Sequence, residues 1–261
     1  MKQTEIVVKR ADDLKLQPSI SSTLGEGLSN QVGFNLREVD GNLDDAATLA
    51  RLHLALVGYG PVAGLGKGFL AHFCYSKLIV EGLMRAAIAE VAGEPAGFVA
   101  YTACAATFHQ KAIRNYPLSA ARALCLSVIT DPRAILGVLK ALRLMLSRQS
   151  DTDRLIADPC AEILTFGVLP EYRDREFVRA TGLKISERLV QHAVSYFQPL
   201  GLTEVQAVVY ATNRPTLMFY RMLGASIDSF VQAGIQSRLI RLPIALEQGA
   251  VAQSDAAGAT S

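Results

Sequence analysis

The spacing of hydrophobic and polar residues in the first third of the chain predicts a strand, a helix, a turn and a second helix. Residues 34–39 alternate as a half-buried strand does, and Asn42 with the acidic residues after it is typical of a helix start that leads into residues 46–57. Five glycines and a proline lie within residues 58–68 and predict a turn. A second helix with apolar residues on one face is predicted for residues 69–81.

The rest of the chain contains strands that are separated first by a turn and then by helices. Residues 84–91 and 97–105 read as two strands of a hairpin, and residues 108–148 have helical spacing with breaks at Pro117 and Asp131-Pro132. Beyond them the pattern predicts strand 161–168, helix 182–197, strand 205–210, helix 215–223 and one or two strands over 230–242.

Hairpin strands and helix-separated strands in one chain favour a sheet with mixed strand directions. We therefore predict an α/β fold of the α+β type, with a mixed, mostly antiparallel central sheet, helices on both faces and a helical-hairpin insertion. A chain of 261 residues suits one elaborated domain, which we place at residues 31–246 with the insertion at 106–157. Residues 1–30 are predicted to be a poorly ordered arm and residues 247–261 a disordered tail.

Charge and cysteine usage narrow the function class. The net charge of +2 is small, whereas a protein that binds nucleic acid usually has a concentrated basic surface. We therefore expect no nucleic-acid partner. The 4 cysteines form no C-x-x-C motif and have no histidine at zinc spacing, so we expect no metal and a reduced compartment. The longest uncharged apolar run, residues 96–108, is shorter than the roughly 20 residues that span a bilayer. The expected location is the cytoplasm.

Three motifs in the second half of the chain occur in a characteristic order. They are Val168-Leu-Pro-Glu-Tyr-Arg173, Arg179-Ala-Thr-Gly-Leu-Lys184, and Asn213 followed by Phe219-Tyr220-Arg-Met-Leu-Gly224. Together they resemble the GCN5-related N-acetyltransferase (GNAT) superfamily over residues 160–230, with looser agreement back to about residue 34. The resemblance implies that acetyl-coenzyme A is the co-substrate. It also implies direct transfer of an acetyl group to a primary amine of a small molecule or sugar, without an acyl-enzyme.

The loop between the strand ending at Val168 and the next helix is the expected binding site of coenzyme A. Backbone N–H groups at a helix start favour an anion such as a pyrophosphate. The family motif Gln/Arg-x-x-Gly-x-Gly/Ala fits a register that starts at Arg179, in a loop lengthened by six residues, whereas a register from Arg173 puts Glu176 at the glycine position. The residues that the resemblance assigns to coenzyme A are Val168, Arg173, Arg179, Ala180, Thr181, Gly182, Leu183, Lys184 and Asn213. Lys184 departs from the small residue of the motif.

Tyr220 and Glu162 are the catalytic candidates. The family pattern of Asn, a small residue, Tyr and Gly is matched by Asn213, Thr216, Tyr220 and Gly224, although Ala225 stands where phenylalanine is usual. The resemblance implies that Tyr220 protonates the departing thiolate, a general-acid role, while packing on the sheet is the alternative. Glu162 opens the predicted strand and is a candidate base at the mouth of a cleft, or else a solvated strand-end glutamate.

Several alternatives stay open at this level. The donor is acetyl-coenzyme A in the leading interpretation; a long-chain acyl group on coenzyme A or on an acyl carrier protein is the second. A catalytically silent scaffold that binds coenzyme A is the third, favoured by Lys184 and Ala225. The basic insertion 108–148 is interpreted as a lid, a homodimer contact or a peripheral contact with an anionic membrane. The identity of the amine acceptor has no readable signal.

Overall fold

The computed structural model describes residues 33–58, 60, 62–130, 135, 137, 160–232 and 235–244. The predicted arm 1–30, the tail 247–261 and most of the segment after residue 130 lie outside this range. Within the described residues, no helix has the length and apolar character to span a bilayer.

In the described part of the chain, strands form one seven-stranded sheet. Its spatial order is β1-β2-β3-β4-β5-β7-β6, and every neighbouring pair is antiparallel except β4 and β5, which are parallel. The predicted mixed, mostly antiparallel sheet is therefore confirmed. The strands are β1 (Phe34–Glu38), β2 (Arg85–Val91), β3 (Glu94–Thr102), β4 (Ala161–Val168), β5 (Glu204–Tyr210), β6 (Ser226–Gln232) and β7 (Ile235–Pro243).

Helices connect the strands and cover both faces of the sheet, as predicted. They are α1 (Leu43–Val57), α2 (66–80), α3 (Ala105–Asn115), α4 (Pro117–Thr130), α5 (Pro170–Arg173), α6 (Arg175–Thr181), α7 (Ile185–Phe197) and α8 (Arg214–Met222). Helix α2 is one continuous helical segment in which α-helical turns, Gly66–Phe69 and Leu78–Val80, flank a π-helical stretch, Leu70–Lys77. This π-helical winding was not foreseen from the sequence.

Two hydrophobic cores lie on opposite faces of the sheet. Helices α1 to α4 cover one face, and β3 contributes Phe98 and Ala100 to this core. Helices α7 and α8 cover the other face, to which β3 contributes Val99 and Tyr101. The alternation of these four consecutive residues follows from the two-residue period of a strand. We call the two faces the α1 face and the α7 face.

The segment between β4 and α7 is the main correction to the predicted elements. The sequence predicts a lengthened loop here. The segment instead forms the helices α5 and α6, because Pro170 starts the first and Asp174 caps the second. The Asp174 side chain accepts a hydrogen bond from the Glu176 N–H at 3.2 Å. Helix α7 begins at Ile185 rather than at residue 182, and β6 begins at Ser226, earlier than predicted.

The helical hairpin is present at the start of the predicted insertion. Helices α3 and α4 meet at Pro117, where the sequence predicted a break. The second predicted break, at Asp131-Pro132, lies outside the described residues. Strands β3 and β4, which flank the insertion, are sheet neighbours, so the sheet closes independently of the hairpin.

Candidate active site

Strand β4 is paired along its length on one edge but only at its start on the other. Its β3 edge is paired from Thr102↔Glu162 to Gly97↔Val168. Its β5 edge is paired from Ala161↔Val205 only as far as Ile163↔Ala207. The two parallel strands separate after these positions, and the β4 edge then presents backbone N–H and C=O groups that have no partner strand among the described residues. Such an edge can accept an extended ligand as an added strand.

A cavity of about 820 Å³ fills the space between the separating strands. Its size lies within the usual range for small-molecule sites. It is bordered by β4, β5, α1, α8 and the first turn of α7. Its polar and charged lining residues include Arg51, Glu94, Thr165, Glu171, Arg173, Ser186, Tyr210, Asn213, Thr216 and Tyr220.

Tyr220 reaches this cavity from α8 and is almost fully buried, with 1% of its surface exposed. Its ring contacts Phe166 of β4 edge-on, with 5.8 Å between the ring centroids. Its hydroxyl has no hydrogen-bond partner among the described residues. Burial raises the pKa of the Tyr220 phenol well above its ordinary value, and the charge of Glu162 adds to this shift. Tyr220 is therefore a neutral donor that has a proton to give.

Glu162 is half-buried and lies at the closed end of the cleft rather than at its mouth. It stands on β4 opposite Thr102 of β3 and beside Gln206 of β5, where the strands still pair. The expectation of a position at the mouth is therefore wrong, because the strands diverge in the direction of Val168. Glu162 is not among the described residues that line the cavity. Its charge nevertheless acts on Tyr220.

Asn213 is the N-cap of α8 and also lines the cavity. Its side chain accepts a hydrogen bond from the Thr216 N–H at 3.4 Å. The spacing of Asn213 and Thr216, which resembles the family motif, thus has a local structural cause in helix capping. The expected contact of Asn213 with coenzyme A stays a prediction.

Gly182 ends α6 and does not start α7, contrary to expectation. It has a left-handed conformation, with φ 70°, and its N–H donates to the Val178 carbonyl at 2.8 Å. The Leu183 N–H donates to the Thr181 hydroxyl at 3.2 Å. These two amides of the expected pyrophosphate loop are therefore already used within the protein.

The first turn of α7 provides the remaining amides of this loop. The N-cap residue Lys184 makes no side-chain cap hydrogen bond, and its Nζ pairs with Glu187 at 3.0 Å. The first N–H groups of any helix have no intrahelical partner, and the helix dipole favours an anion there. Ser186, in this turn, lines the cavity.

The structure brings together only part of the predicted site. Val168, Arg173, Asn213 and Tyr220 line the cavity, whereas the segment from Arg179 to Lys184 is not among the described lining residues. Sequence reasoning missed Arg51, Thr165 and Ser186. Ser186 lies two residues after Lys184, the last residue of the loop motif, so the motif indicates its region. Arg51 and Thr165 lie outside the motifs, and only the tertiary structure brings them to the cavity. Among the described residues, His, Cys, Asp and Glu side chains form no group of three that could hold a metal ion.

A scan against protein-family models finds no match, and a search of curated proteins finds none. The chain is similar to the solved structure of Arabidopsis thaliana NAA60 in complex with acetyl-CoA, at 16% identity over 81% of this chain and 99% of that chain, with a TM-score of 0.47. It is also similar to a putative acetyltransferase of the GNAT family from Desulfovibrio desulfuricans, at 14% identity over 82% of this chain and 100% of that chain, with a TM-score of 0.45.

A third similar structure is PaiA N-acetyltransferase from Thermoplasma acidophilum in complex with coenzyme A. Its identity is 12% over 78% of this chain and 98% of that chain, with a TM-score of 0.43. The second and third structures are named as acetyltransferases, and the first was solved with acetyl-CoA bound. Each likeness has a TM-score below 0.5, so none assigns an activity or a residue role to this chain.

Proposed function

We propose that this protein is an N-acetyltransferase that moves an acetyl group from acetyl-coenzyme A to a primary amine of a small molecule or sugar. The observation that carries the proposal is the meeting, in one cavity, of the unpaired β4 edge with the buried, unpartnered hydroxyl of Tyr220. An extended, amide-containing thioester needs a strand-like edge for its arm and a proton donor for its sulfur. Both are present at this split in the sheet.

The residues around the cavity fit coenzyme A. The amide-bearing arm suits the edge of β4 from Leu164 to Val168, where β5 no longer pairs. The pyrophosphate suits the first turn of α7, with Ser186 and the cations Arg173 and Arg51 on the cavity wall. The segment Arg179, Ala180, Thr181, Gly182, Leu183 and Lys184 leads into this turn, and Asn213 borders the cavity from α8. Their contacts with coenzyme A belong to the same proposal.

The chemistry requires two proton movements. The amine nitrogen attacks the thioester carbonyl carbon, a C–N bond forms, and the C–S bond breaks to leave a thiolate. Tyr220, held neutral by burial, donates a hydrogen bond or its proton to the thiolate sulfur. Glu162, on the strand next to it, accepts the proton that the amine loses, directly or through water. Cysteine side chains are not among the described residues that line the cavity, which supports direct transfer.

Two measurements on the purified protein test the proposal. Calorimetry with coenzyme A and acetyl-coenzyme A should show binding, and acetyl-coenzyme A should release free thiol when a panel of primary amines is added. Absence of binding would refute the proposal. Binding without amine-dependent thiol release would favour the silent scaffold, and faster reaction with palmitoyl-coenzyme A than with acetyl-coenzyme A would favour a long-chain donor.

A further inference from the structure

Several buried side-chain polar atoms of the described residues have no hydrogen-bond partner. Among the described residues, such atoms are Thr165 Oγ1, His192 Nε2, Gln206 Oε1, Tyr220 OH and Ser237 Oγ. A buried polar group without a partner is uncommon in native proteins, and each instance needs an explanation. Two of these residues, Thr165 and Tyr220, line the cavity. Tyr220 has a role in the proposed transfer, and Thr165 has none so far.

A β-bulge decides the direction of Thr165. Ala100 pairs with Thr165, but the next residue of β3, Tyr101, pairs with Ile163, so Leu164 is an extra residue in β4. Without the bulge, strict alternation would put Leu164 and Thr165 on opposite faces of the sheet. Bulges re-aim side chains in this way and are frequent next to active sites.

The neighbours of these residues show which face each one takes. Ile163 and Phe166 belong to the core on the α7 face, together with Val99, which pairs with Phe166. Leu164 packs on the core of the α1 face, to which Ala100, the partner of Thr165, also belongs. Leu164 and Thr165 therefore both lie on the α1 side of β4.

Thr165 and Tyr220 thus lie on opposite faces of the sheet at the point where β4 and β5 separate. Tyr220 packs against Phe166 on the α7 face. On the α1 face, Thr165 shares the cavity with Leu52 and Leu56, whose apolar side chains offer its hydroxyl no partner. Glu162 precedes Ile163 and by alternation lies on the same side as Thr165.

We propose that the Thr165 hydroxyl accepts a hydrogen bond from an N–H of the attacking amine, and that the amine therefore enters on the α1 face. This inference rests on the proposed function. The contact directs the nitrogen lone pair towards the thioester carbonyl carbon in the split, while the sulfur leaves towards Tyr220 on the opposite face. The acceptor class is a primary amine that presents an N–H group to a hydroxyl beside the apolar side chains of Leu52 and Leu56.

An isosteric substitution isolates this hydroxyl. Thr165→Val keeps the shape and removes the oxygen, so we expect kcat/KM for the amine to fall at least about tenfold, mainly through a higher KM, since a lost hydrogen bond of this kind costs on the order of 1.4 kcal/mol. Affinity for coenzyme A and KM for acetyl-coenzyme A should not change. The melting temperature should stay equal or rise, since no described residue forms a hydrogen bond with this hydroxyl. Thr165→Ser should restore most of the amine kinetics.

Thr102→Val is the matched control. Thr102 is a buried threonine on the neighbouring strand β3, and its hydroxyl donates to the Leu83 carbonyl at 2.8 Å. Its loss should lower the melting temperature and leave KM for the amine unchanged. Together the two variants separate a structural hydroxyl from one that serves a ligand.

Three outcomes would overturn the inference. They are unchanged amine kinetics in Thr165→Val, a drop in its melting temperature like that of Thr102→Val, and a loss of coenzyme A affinity, which would assign Thr165 to the donor. Absence of amine-dependent thiol release in the unmodified protein would instead refute the proposed function, and this inference with it.

Discussion

The two edges of β4 differ in how far their backbone groups pair with a neighbouring strand. The edge that faces β3 is paired from Glu162 to Val168 and closes the sheet between the two cores. The edge that faces β5 is paired only up to Ile163 and then borders a cavity. One edge contributes stability through its ladder, and the other is the edge to which the proposed function assigns the amide-bearing arm of coenzyme A.

The hydroxyl groups of two threonines show the same contrast at side-chain level. Thr102, on the paired side, has its hydroxyl satisfied by a carbonyl, whereas Thr165, on the open side, does not. An unpartnered buried hydroxyl costs about 1–3 kcal/mol. The hydrogen bond proposed between the Thr165 hydroxyl and the amine would offset this cost.

Removal of the Tyr220 hydroxyl should have the largest effect at the open edge. We expect Tyr220→Phe to lower turnover by roughly a hundred- to a thousand-fold, since a positioned general acid contributes about a hundred- to ten-thousand-fold. Affinity for acetyl-coenzyme A and the melting temperature should be unchanged, because the hydroxyl has no hydrogen-bond partner in the described part of the chain. Steady-state kinetics with calorimetry check this, and wild-type turnover would reduce Tyr220 to a packing residue.

Glu162 tests whether the closed end of the cleft supplies the base. In the unmodified protein, a carboxylate base gives activity that rises with pH as the carboxyl loses its proton. Glu162→Gln should lower kcat/KM about tenfold or more and remove this acidic limb from the pH–rate profile. A profile superimposable on that of the unmodified protein would eliminate Glu162 as the base.

The sequence predicts β4 well but does not predict the helix α6 that follows it. The bounds of β4 agree with the predicted strand 161–168 because its apolar run is bounded by clear turn signals. The resemblance does not predict helix α6, because the six-residue extension has no counterpart in the family motif, although Asp174 is a good N-cap. Local capping chemistry was the available signal there.

The candidate site was predictable only where chemistry and motif coincide. Tyr220 and Asn213 have a recognisable spacing, and both line the cavity. Thr165 has no sequence signal, because its direction depends on a bulge that arises from pairing with Tyr101 and Ala100. Arg51 lies on α1, far away in sequence, and only tertiary packing brings it to the cavity wall.

At the paired edge, Gly97 should be essential to stability. A Cβ at this position would lie 2.7 Å from the Gly167 carbonyl oxygen and 3.2 Å from Val168 Cα, and backbone atoms cannot move away cheaply. We expect Gly97→Ala to reduce the free energy of unfolding by about 1–3 kcal/mol. Gly33→Ala, which meets open space, is the control in the same denaturant titration. Equal stability of the two variants would show that the β3–β4 contact is looser than described.

The pH dependence of stability tests the buried hydrogen bond between His53 and Tyr75 on the α1 face. Its Nδ1 lies 2.6 Å from the Tyr75 hydroxyl, and burial lowers the pKa of His53 to about 4. The unfolded chain takes up this proton near pH 6.5 and the folded protein only near pH 4, so stability falls as the pH falls through that window. Between pH 7 and pH 5 the loss from His53 is about 2 kcal/mol. Thermal melts should show a weaker pH dependence in His53→Gln; an unchanged dependence would contradict the assignment.

The smallest effect that we expect is a change in coenzyme A affinity, and it should differ between two glycines that have the same backbone conformation. Gly182 and Gly201 have φ of 70° and 69°, and a Cβ at either would meet open space. Alanine in this left-handed region costs roughly 1–2 kcal/mol, so Gly182→Ala and Gly201→Ala should lower the melting temperature by similar amounts. Gly182 leads into the first turn of α7 at the cavity, whereas Gly201 follows the far end of α7. Calorimetry should therefore show several-fold weaker coenzyme A binding in Gly182→Ala alone, and equal affinities in the two variants would remove the Gly182 loop from the site.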